Sequence, residues 1–446
     1  MKKFKNPFSR MKRAAGSLFD RATGYVRGVG RQADEVLKGE PIDFSAPSIP
    51  YYENLASRLS FARVVLYMVL LVFVVVTAVS NHRLITYENL YYLAKDIGAA
   101  SQTAKAHADS LSYPISAEGA DFALYRGGLV ISGSDVVTAM SASGRQTLSV
   151  NVAYADPCAR ASDKYCLTFG RGEKSFSVYN AFVQVHTETT EFPVYDAAVG
   201  DNGNFAIVTR SRDYKSEVIL YDDNMEKLAV YHLGGYVTGI AMNEEGNRLG
   251  VVSAESQNGV WVTKVTVIRI GNRITQSHAT VTGALGSTCG FVGDDRLAVI
   301  FTDRVMVVNS DATVTGEVLF DGMMPSLAAI GRGSIAVLAE SGSDLTQSVL
   351  TVYDKNARES YSVTVEADHP LAKAGKATAL SVADHTLFLR AGDSLFRITG
   401  DGSNQLYSTT LSHDTLSILP ESGEDVLVCT PAYAYRLNKG DFSRAD

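Results

Sequence analysis

A strand–turn phrase recurs roughly every forty residues from Tyr113 almost to the C-terminus, and it limits the possible folds more than any other feature of the chain. Each unit opens with a short strand of small or apolar residues. A polar turn, a strongly apolar strand and two further strands follow. Val194–Leu233 shows the order: Val-Tyr-Asp-Ala-Ala-Val, the turn Gly200-Asp-Asn-Gly-Asn, the strand Phe205-Ala-Ile-Val-Thr, then Glu217-Val-Ile-Leu-Tyr and Lys227-Leu-Ala-Val-Tyr. The next unit repeats it with Val237-Thr-Gly-Ile-Ala-Met, the turn Asn243-Glu-Glu-Gly-Asn and the strand Leu249-Gly-Val-Val-Ser. Further units begin near Asp121, Pro157, Ser287, Pro325, Ala377 and Thr415.

Four-stranded units repeated at this spacing are the sequence signature of a β-propeller. The starts favour eight blades over seven. The last unit has room for only three strands before Asp446, so Leu111–Ala117 is expected to supply its outer strand and close the ring. This all-β domain is assigned to residues 111–440.

The segment before it is of another kind. Val64 to Val79 carries no charged residue, and a helix over 61–80 would reach about 30 Å, enough to cross a bilayer core. Charge divides at the same place: residues 1–63 carry a net +6 and residues 81–446 a net −13. A basic flank on one side of an apolar run predicts a single-pass anchor with its N-terminus cytoplasmic and the propeller outside. Residues 1–40 space apolar side chains in steps of three and four, with Lys12, Arg13, Arg21, Arg27 and Arg31 on the other faces. That pattern suits a basic amphipathic helix lying on membrane lipids, with a disordered basic tail as the other reading. Because the stripe is apolar, nucleic acid is not an expected partner. Pro41, Pro47 and Pro50 mark a linker over 41–60, and Thr86–Ala108 reads as a stalk helix within 81–110.

Four cysteines are present: Cys158, Cys166, Cys289 and Cys429. Cys158 and Cys166 flank an expected hairpin turn, so an exterior disulfide and two free thiols are both open. Cys289 and Cys429 sit in apolar strand runs and read as small buried residues.

At this point the chain resembles a known family. Gly203-Asn-Phe-Ala-Ile-Val-Thr, Tyr214-Lys-Ser-Glu-Val-Ile-Leu-Tyr-Asp, Asn247-Arg-Leu-Gly-Val-Val and the Tyr113-Pro-Ile start look like a membrane-anchored β-propeller domain of unknown function from clostridial Gram-positive bacteria, within the quinoprotein and WD40-like superfamily. The resemblance covers roughly residues 64–440. It implies fold and topology and brings no catalytic residues.

Motifs for catalysis are missing from the sequence. It has no Gly-x-Ser-x-Gly elbow, no His-Glu-x-x-His and no Walker loop, and its eight histidines show no paired spacing. A single tryptophan, Trp261, argues against a quinoprotein, whose blades are locked by repeated tryptophans. Asp222-Asp223-Asn224 and Asp294-Asp295 read as hairpin turns before they read as halves of a cation site. No metal, no cofactor and no catalysis are therefore expected. Within the propeller the densest loop is Arg210-Ser-Arg-Asp-Tyr-Lys, in which Arg210, Arg212 and Lys215 surround Tyr214. Arg and Tyr favour interfaces, so these four residues form the candidate binding site, for an envelope protein or a glycan. The function expected is binding or scaffolding at the cell envelope. The rivals are a sensor signalling to the cytoplasmic segment and an enzyme acting on a glycan or carrying a quinone.

Overall fold

The computed structural model describes residues 62–73, 109–113, 116–180, 183–341, 348–400 and 405–445. Residues 110–112 and 121–445 build eight antiparallel sheets, seven of them with their strands hydrogen-bonded in chain order, and the chain is an eight-bladed propeller. The inner strands are Asp121–Tyr125, Pro157–Ala161, Val194–Val199, Tyr236–Met242, Gly286–Gly293, Met323–Gly331, Ala377–Ala383 and Ser417–Pro420. Every start lies within two residues of the one expected from the repeat.

Blade 8 takes its outer strand from the front of the domain. Ser110–Ser112 pairs with Tyr433–Leu437, Leu111 standing opposite Ala434. The expected donor is right, and the strand is shorter than the 111–117 run. A second tie escapes the repeat pattern. Ser443–Arg444 pairs with Gln405–Thr410 and gives blade 7 a fifth strand, while Phe442 packs near Phe388.

Strand composition follows position. Second strands such as Gly128–Ser132 and Phe205–Thr209 are buried at every residue, because both faces of each sheet meet a neighbouring blade. Outer strands such as Lys227–Leu233 have only alternate residues partly covered. Between blades 2 and 3, Phe176, Phe205 and Tyr221 interlock, the last two stacked at 4.5 Å. Rings of this kind do the work for which tryptophan repeats are absent. Toward the axis the strands crowd, and small residues are required: a Cβ on Gly239 would lie 3.0 Å from the Cys289 amide nitrogen.

Two faces result. The lower face carries the turns from inner to second strand and from third to outer strand. The upper face carries the turns from second to third strand and the blade-to-blade connections. On the lower face every junction is bridged. Tyr125 donates to the Lys164 carbonyl at 2.6 Å, the Asp163 amide to Asp201 at 2.6 Å, and Asn204 to the Gly246 carbonyl at 2.8 Å. Arg248 reaches the Asp294 carbonyl at 3.0 Å, the Gly333 amide the Val292 carbonyl at 2.9 Å, and Ser334 meets His385 Nδ1 at 2.9 Å. At blade 7 to blade 8 the buried Arg397 donates twice to the Gly423 carbonyl, at 3.0 and 3.2 Å. At blade 8 to blade 1, Arg436 holds Glu421 through Nε at 2.7 Å and Nη2 at 2.8 Å, and reaches the Gly127 carbonyl at 3.1 Å.

The carboxylate pairs of the sequence are turn residues. Asp222 Oδ1 accepts the amides of Asn224 and Glu226 at 2.9 and 2.8 Å, and Asn309 and Asp354 repeat this in blades 5 and 6. Asp294 contributes its backbone carbonyl to the blade 4 to blade 5 junction. Among the described residues no group of three or more His, Cys, Asp or Glu is arranged to hold a metal.

Of the two readings open for Cys158 and Cys166, the structure has the free thiols and not the disulfide. All four cysteines are free. Cys158 stands opposite Phe169 and Cys166 opposite Ala161, so the two are offset by three positions along the paired strands and emerge on opposite faces of the sheet. Cys158 packs with Phe176 and Phe205, Cys166 with Tyr125 and Tyr154. Burial pushes both thiols up, which also keeps them from reacting as thiolates.

The expected membrane helix over 61–80 is described only in part. Residues 62–73 are helical, all of them exposed, and Val64, Leu66, Val69 and Phe73 are among them. Twelve residues make about 18 Å at 1.5 Å per residue, and among the described residues no helix is long and apolar enough to cross a membrane. The remainder of that span, the amphipathic segment 1–40 with Lys12, Arg13, Arg21, Arg27 and Arg31, the linker 41–60 and the stalk helix lie outside the described residues.

Candidate functional site

The candidate loop, residues 210–215, joins Phe205–Thr209 to Ser216–Tyr221 on the upper face of blade 3. Its ends are fixed by the backbone: the Arg210 amide donates to the Pro193 carbonyl at 3.3 Å and the Lys215 amide to the Leu233 carbonyl at 3.1 Å. Between these points one cross-strand pair anchors the side chains. Glu217 faces His232 in register, and His232 Nδ1 lies 3.0 Å from Glu217 Oε1. Ser211 donates to the same carboxylate oxygen at 2.6 Å. The Tyr214 ring stacks on the His232 ring at 4.8 Å, with 21° between the planes. Lys215 Nζ sits 5.5 Å from the centre of the Tyr236 ring, a cation–π distance.

Thus Tyr214 and Lys215 are held in place, and Arg210 and Arg212 stand exposed at the same turn. Tyr214 is 51% exposed and Tyr236 55%, unusual values for rings clamped against protein. The sequence reading found the loop and missed Glu217, His232 and Tyr236. The strand register would have exposed the first pair, since a hairpin from 216 to 233 sets 217 against 232.

Beside the loop lies a groove of about 660 Å³. Its near side is His232, Leu233 and the Gly234-Gly235 connection. Gly235 has no room for a side chain, since a Cβ would come 2.8 Å from the Ala254 carbonyl oxygen. Its far side is blade 4, whose second and third strands, Arg248–Gln257 and Val260–Arg269, run ten residues each. Ser253, Glu255 and Gln257 line the groove from one strand, and Val260, Val262 and Lys264 from their register partners. Thr280 and Thr282 extend the wall on the outer strand. Gln257 donates to Glu255 at 2.5 Å. Trp261 belongs to the other face of this hairpin, opposite Ser256, and is half exposed. The long hairpin was signalled by Asn258-Gly259, both with positive φ (52° and 80°), the residues a two-residue hairpin turn requires.

The chemistry available here is recognition. Ser211, Glu217 and His232 come together in the wrong order for nucleophilic catalysis. Hydroxyl and imidazole both bond one carboxylate oxygen, whereas activation requires the imidazole to take the hydroxyl proton. Two other hollows are smaller or differently lined. One, about 280 Å³ on the lower face, is bounded by Asp163, Asp201, Glu244 and Arg332, with Arg332 already paired to Glu244 at 3.1 Å. The other, about 610 Å³ between blades 6 and 7, is walled by Leu338, Leu371 and Leu389 beside the short helix Pro370–Lys373.

Fold and site together define an eight-bladed propeller with one elaborated rim. The chain belongs to the family of unknown function DUF5711, whose model matches residues 106–435. That match leaves the apolar segment 61–80 outside it, so it carries the propeller part of the resemblance and neither the anchor nor a bacterial source. No curated protein matches the chain. Among solved structures, the C-terminal WD40 domain of Sif2 is 10% identical, with 72% of this chain and 96% of that one covered at a TM-score of 0.50. Apo AztD from Citrobacter koseri is 11% identical over 73% of this chain and 90% of that one, at a TM-score of 0.48. Identities this low concern the fold alone.

Proposed function

We propose that the chain is a non-catalytic binding or scaffolding module of the cell envelope, its propeller held outside the membrane by the apolar segment 61–80. The observation that carries this reading is the blade 3–4 rim. There a turn bearing Arg210, Arg212 and Lys215 is fixed by the Glu217–His232 pair, beside two exposed tyrosines and an open groove. A charged loop anchored this firmly is pre-organised for a partner, which lowers the ordering cost of binding. For the anchor, the support is the helix at 62–73, free of charge from Val64 onward and exposed throughout, which suits lipid better than water. The charge division between residues 1–63 and 81–446 supports the N-in orientation.

Crosslinking and capture from native membranes tests both parts. The full-length chain is expected to fractionate with membranes and to bring down a discrete envelope component. The variant Arg210→Ala/Arg212→Ala/Lys215→Ala is expected to lose that component while staying in the membrane. Release of the wild-type chain by an alkaline wash would overturn the anchor, and undiminished capture by the variant would overturn the rim.

A further inference from the structure

We propose that the hollow between blades 6 and 7 binds a short apolar peptide with free termini, Glu340 taking its ammonium group and Lys376 its carboxylate. This site is separate from the blade 3–4 rim and does not rest on it. The hollow, about 610 Å³, exists because one connection is built differently from the others. Residues 366–376 join blades 6 and 7 in eleven residues, where the other six blade-to-blade connections take two to six. The extra length is fixed in place. His369 caps the helix Pro370–Lys373, its Nδ1 accepting the Leu371 amide at 3.3 Å. Leu371, 3% exposed, enters the core between the two blades and ties the helix down. At the far end the Gly392 amide donates to the Lys376 carbonyl at 3.4 Å, and a Cβ on Gly392 would run into the Ala374 carbonyl oxygen. The connection is therefore a wall.

Strand register turns the other walls inward. In blade 6, Glu340 stands opposite Ser348 and Leu338 opposite Leu350, while Val365 on the outer strand faces Ser348. Residues two apart share a face, and Leu338 and Leu350 belong to the core shared with blade 7. Glu340 and Ser348 therefore look toward blade 7 as well. In blade 7, Leu387, Leu389 and Ala391 alternate onto the face packed against blade 6, and Phe388 onto the face toward blade 8. Glu340, Ser348 and Val365 thus line the hollow across from Ala391, with Leu338 and Leu389 one row below.

That lining sets the chemistry of the occupant. Leu338, Val365, Leu371 and Leu389 ask for an apolar body. The charged lining is one acid on blade 6, Glu340, and one base where the connection reaches blade 7, Lys376. Neither has an ion pair among the described residues. An aliphatic acid would set its carboxylate against Glu340, and a polyanion would find a single cation. A sugar would leave hydroxyls unpaired on the leucine surface. A peptide with free termini carries one charge of each sign, separated by its side chains, and matches both walls. The volume is in the range of small-ligand pockets and exceeds what one amino acid fills.

The test is calorimetric titration of the full-length chain in detergent with the tripeptide Leu-Ala-Leu, its N-acetyl and C-terminal amide forms, free leucine and octanoate. The tripeptide is expected to bind, and blocking either terminus to weaken it about tenfold. Lys376→Met should abolish the difference between free acid and amide, and Glu340→Gln that between free amine and acetyl form. A structural role for either side chain would not match variant to terminus in this way. Both variants are expected to melt as the wild type does and to leave capture at the blade 3–4 rim unchanged. No binding of any tripeptide form, or affinities indifferent to both variants, would overturn the proposal. Octanoate or free leucine binding more tightly than the tripeptide would overturn the peptide as occupant.

Discussion

Arginine serves opposite purposes at two places in this ring. Where blade 8 meets blade 1, the Arg436 side chain is 5% exposed, clamped by both oxygens of Glu421 and reaching across to the Gly127 carbonyl. On the rim of blade 3, Arg210 and Arg212 are exposed on a turn whose anchoring is done by other residues. A buried guanidinium is tolerated only when its donors are satisfied and its charge is matched, so the first arrangement specifies the closure of the ring. An exposed one costs little to keep and little to lose, so the second is free to be chosen for what it meets. In a propeller, whose fold accommodates many functions, this contrast separates residues that hold the ring from residues available to a partner.

The contrast can be broken at its strong end first. Arg436→Met leaves Glu421 charged, largely buried and without its partner, and is expected to cost about 3–5 kcal/mol in chemical denaturation. Adding Glu421→Gln should recover part of that loss. A cost within error of zero would mean that closure rests on strand pairing alone. Next comes the turn cap: Asp222→Ala removes the acceptor of two backbone amides in blade 3 and should cost about 1–2 kcal/mol, with no effect on the rim on the opposite face.

A smaller effect is expected at Glu188, on the outer strand of blade 2. Burial raises its carboxyl, but bonds to Lys227 Nζ at 2.7 Å and to His186 outweigh burial and set it below the ordinary carboxylate range. A depressed pKa gives stability that is present above the unfolded carboxylate value and is lost as pH falls through the folded one. Melting measured from pH 6 to below pH 4 should show this loss, at most about 1 kcal/mol for so exposed a pair, and Lys227→Met should diminish it. The smallest expected effect is none: reductant should leave the melting temperature unchanged, since Cys158 and Cys166 are free thiols on opposite faces of their sheet. A drop on reduction would contradict that placement.

Much of the ring was legible because each blade writes the same physics into its sequence. Buried second strands force runs such as Phe205-Ala-Ile-Val, and tight turns force Gly, Asn or Asp, as in Gly200-Asp-Asn-Gly-Asn. Donation of an outer strand from residues just before the first blade was also readable, from the missing beat at the end. Contacts made by closing the ring left no local trace. Arg436 and Gly127 are 309 residues apart, and nothing around either announces the other. Ser443–Arg444 is too short a strand to show a period. Cys158 and Cys166 stayed ambiguous in the sequence because spacing suggests proximity, while alternation along a strand decides which face a side chain takes. At the candidate site the loop was visible as a cluster of Arg, Tyr and Lys. The groove came from the length of the blade 4 hairpin, which Asn258-Gly259 marked without revealing what would line it.

The central claim is that the blade 3–4 rim is the docking surface and contributes nothing essential to the fold. One paired measurement addresses it: melting temperature and capture of the envelope component, both on the Arg210→Ala/Arg212→Ala/Lys215→Ala variant. The account predicts capture lost with the melting temperature within about 2 °C of wild type, as for exposed substitutions generally. Capture retained at wild-type level would contradict it.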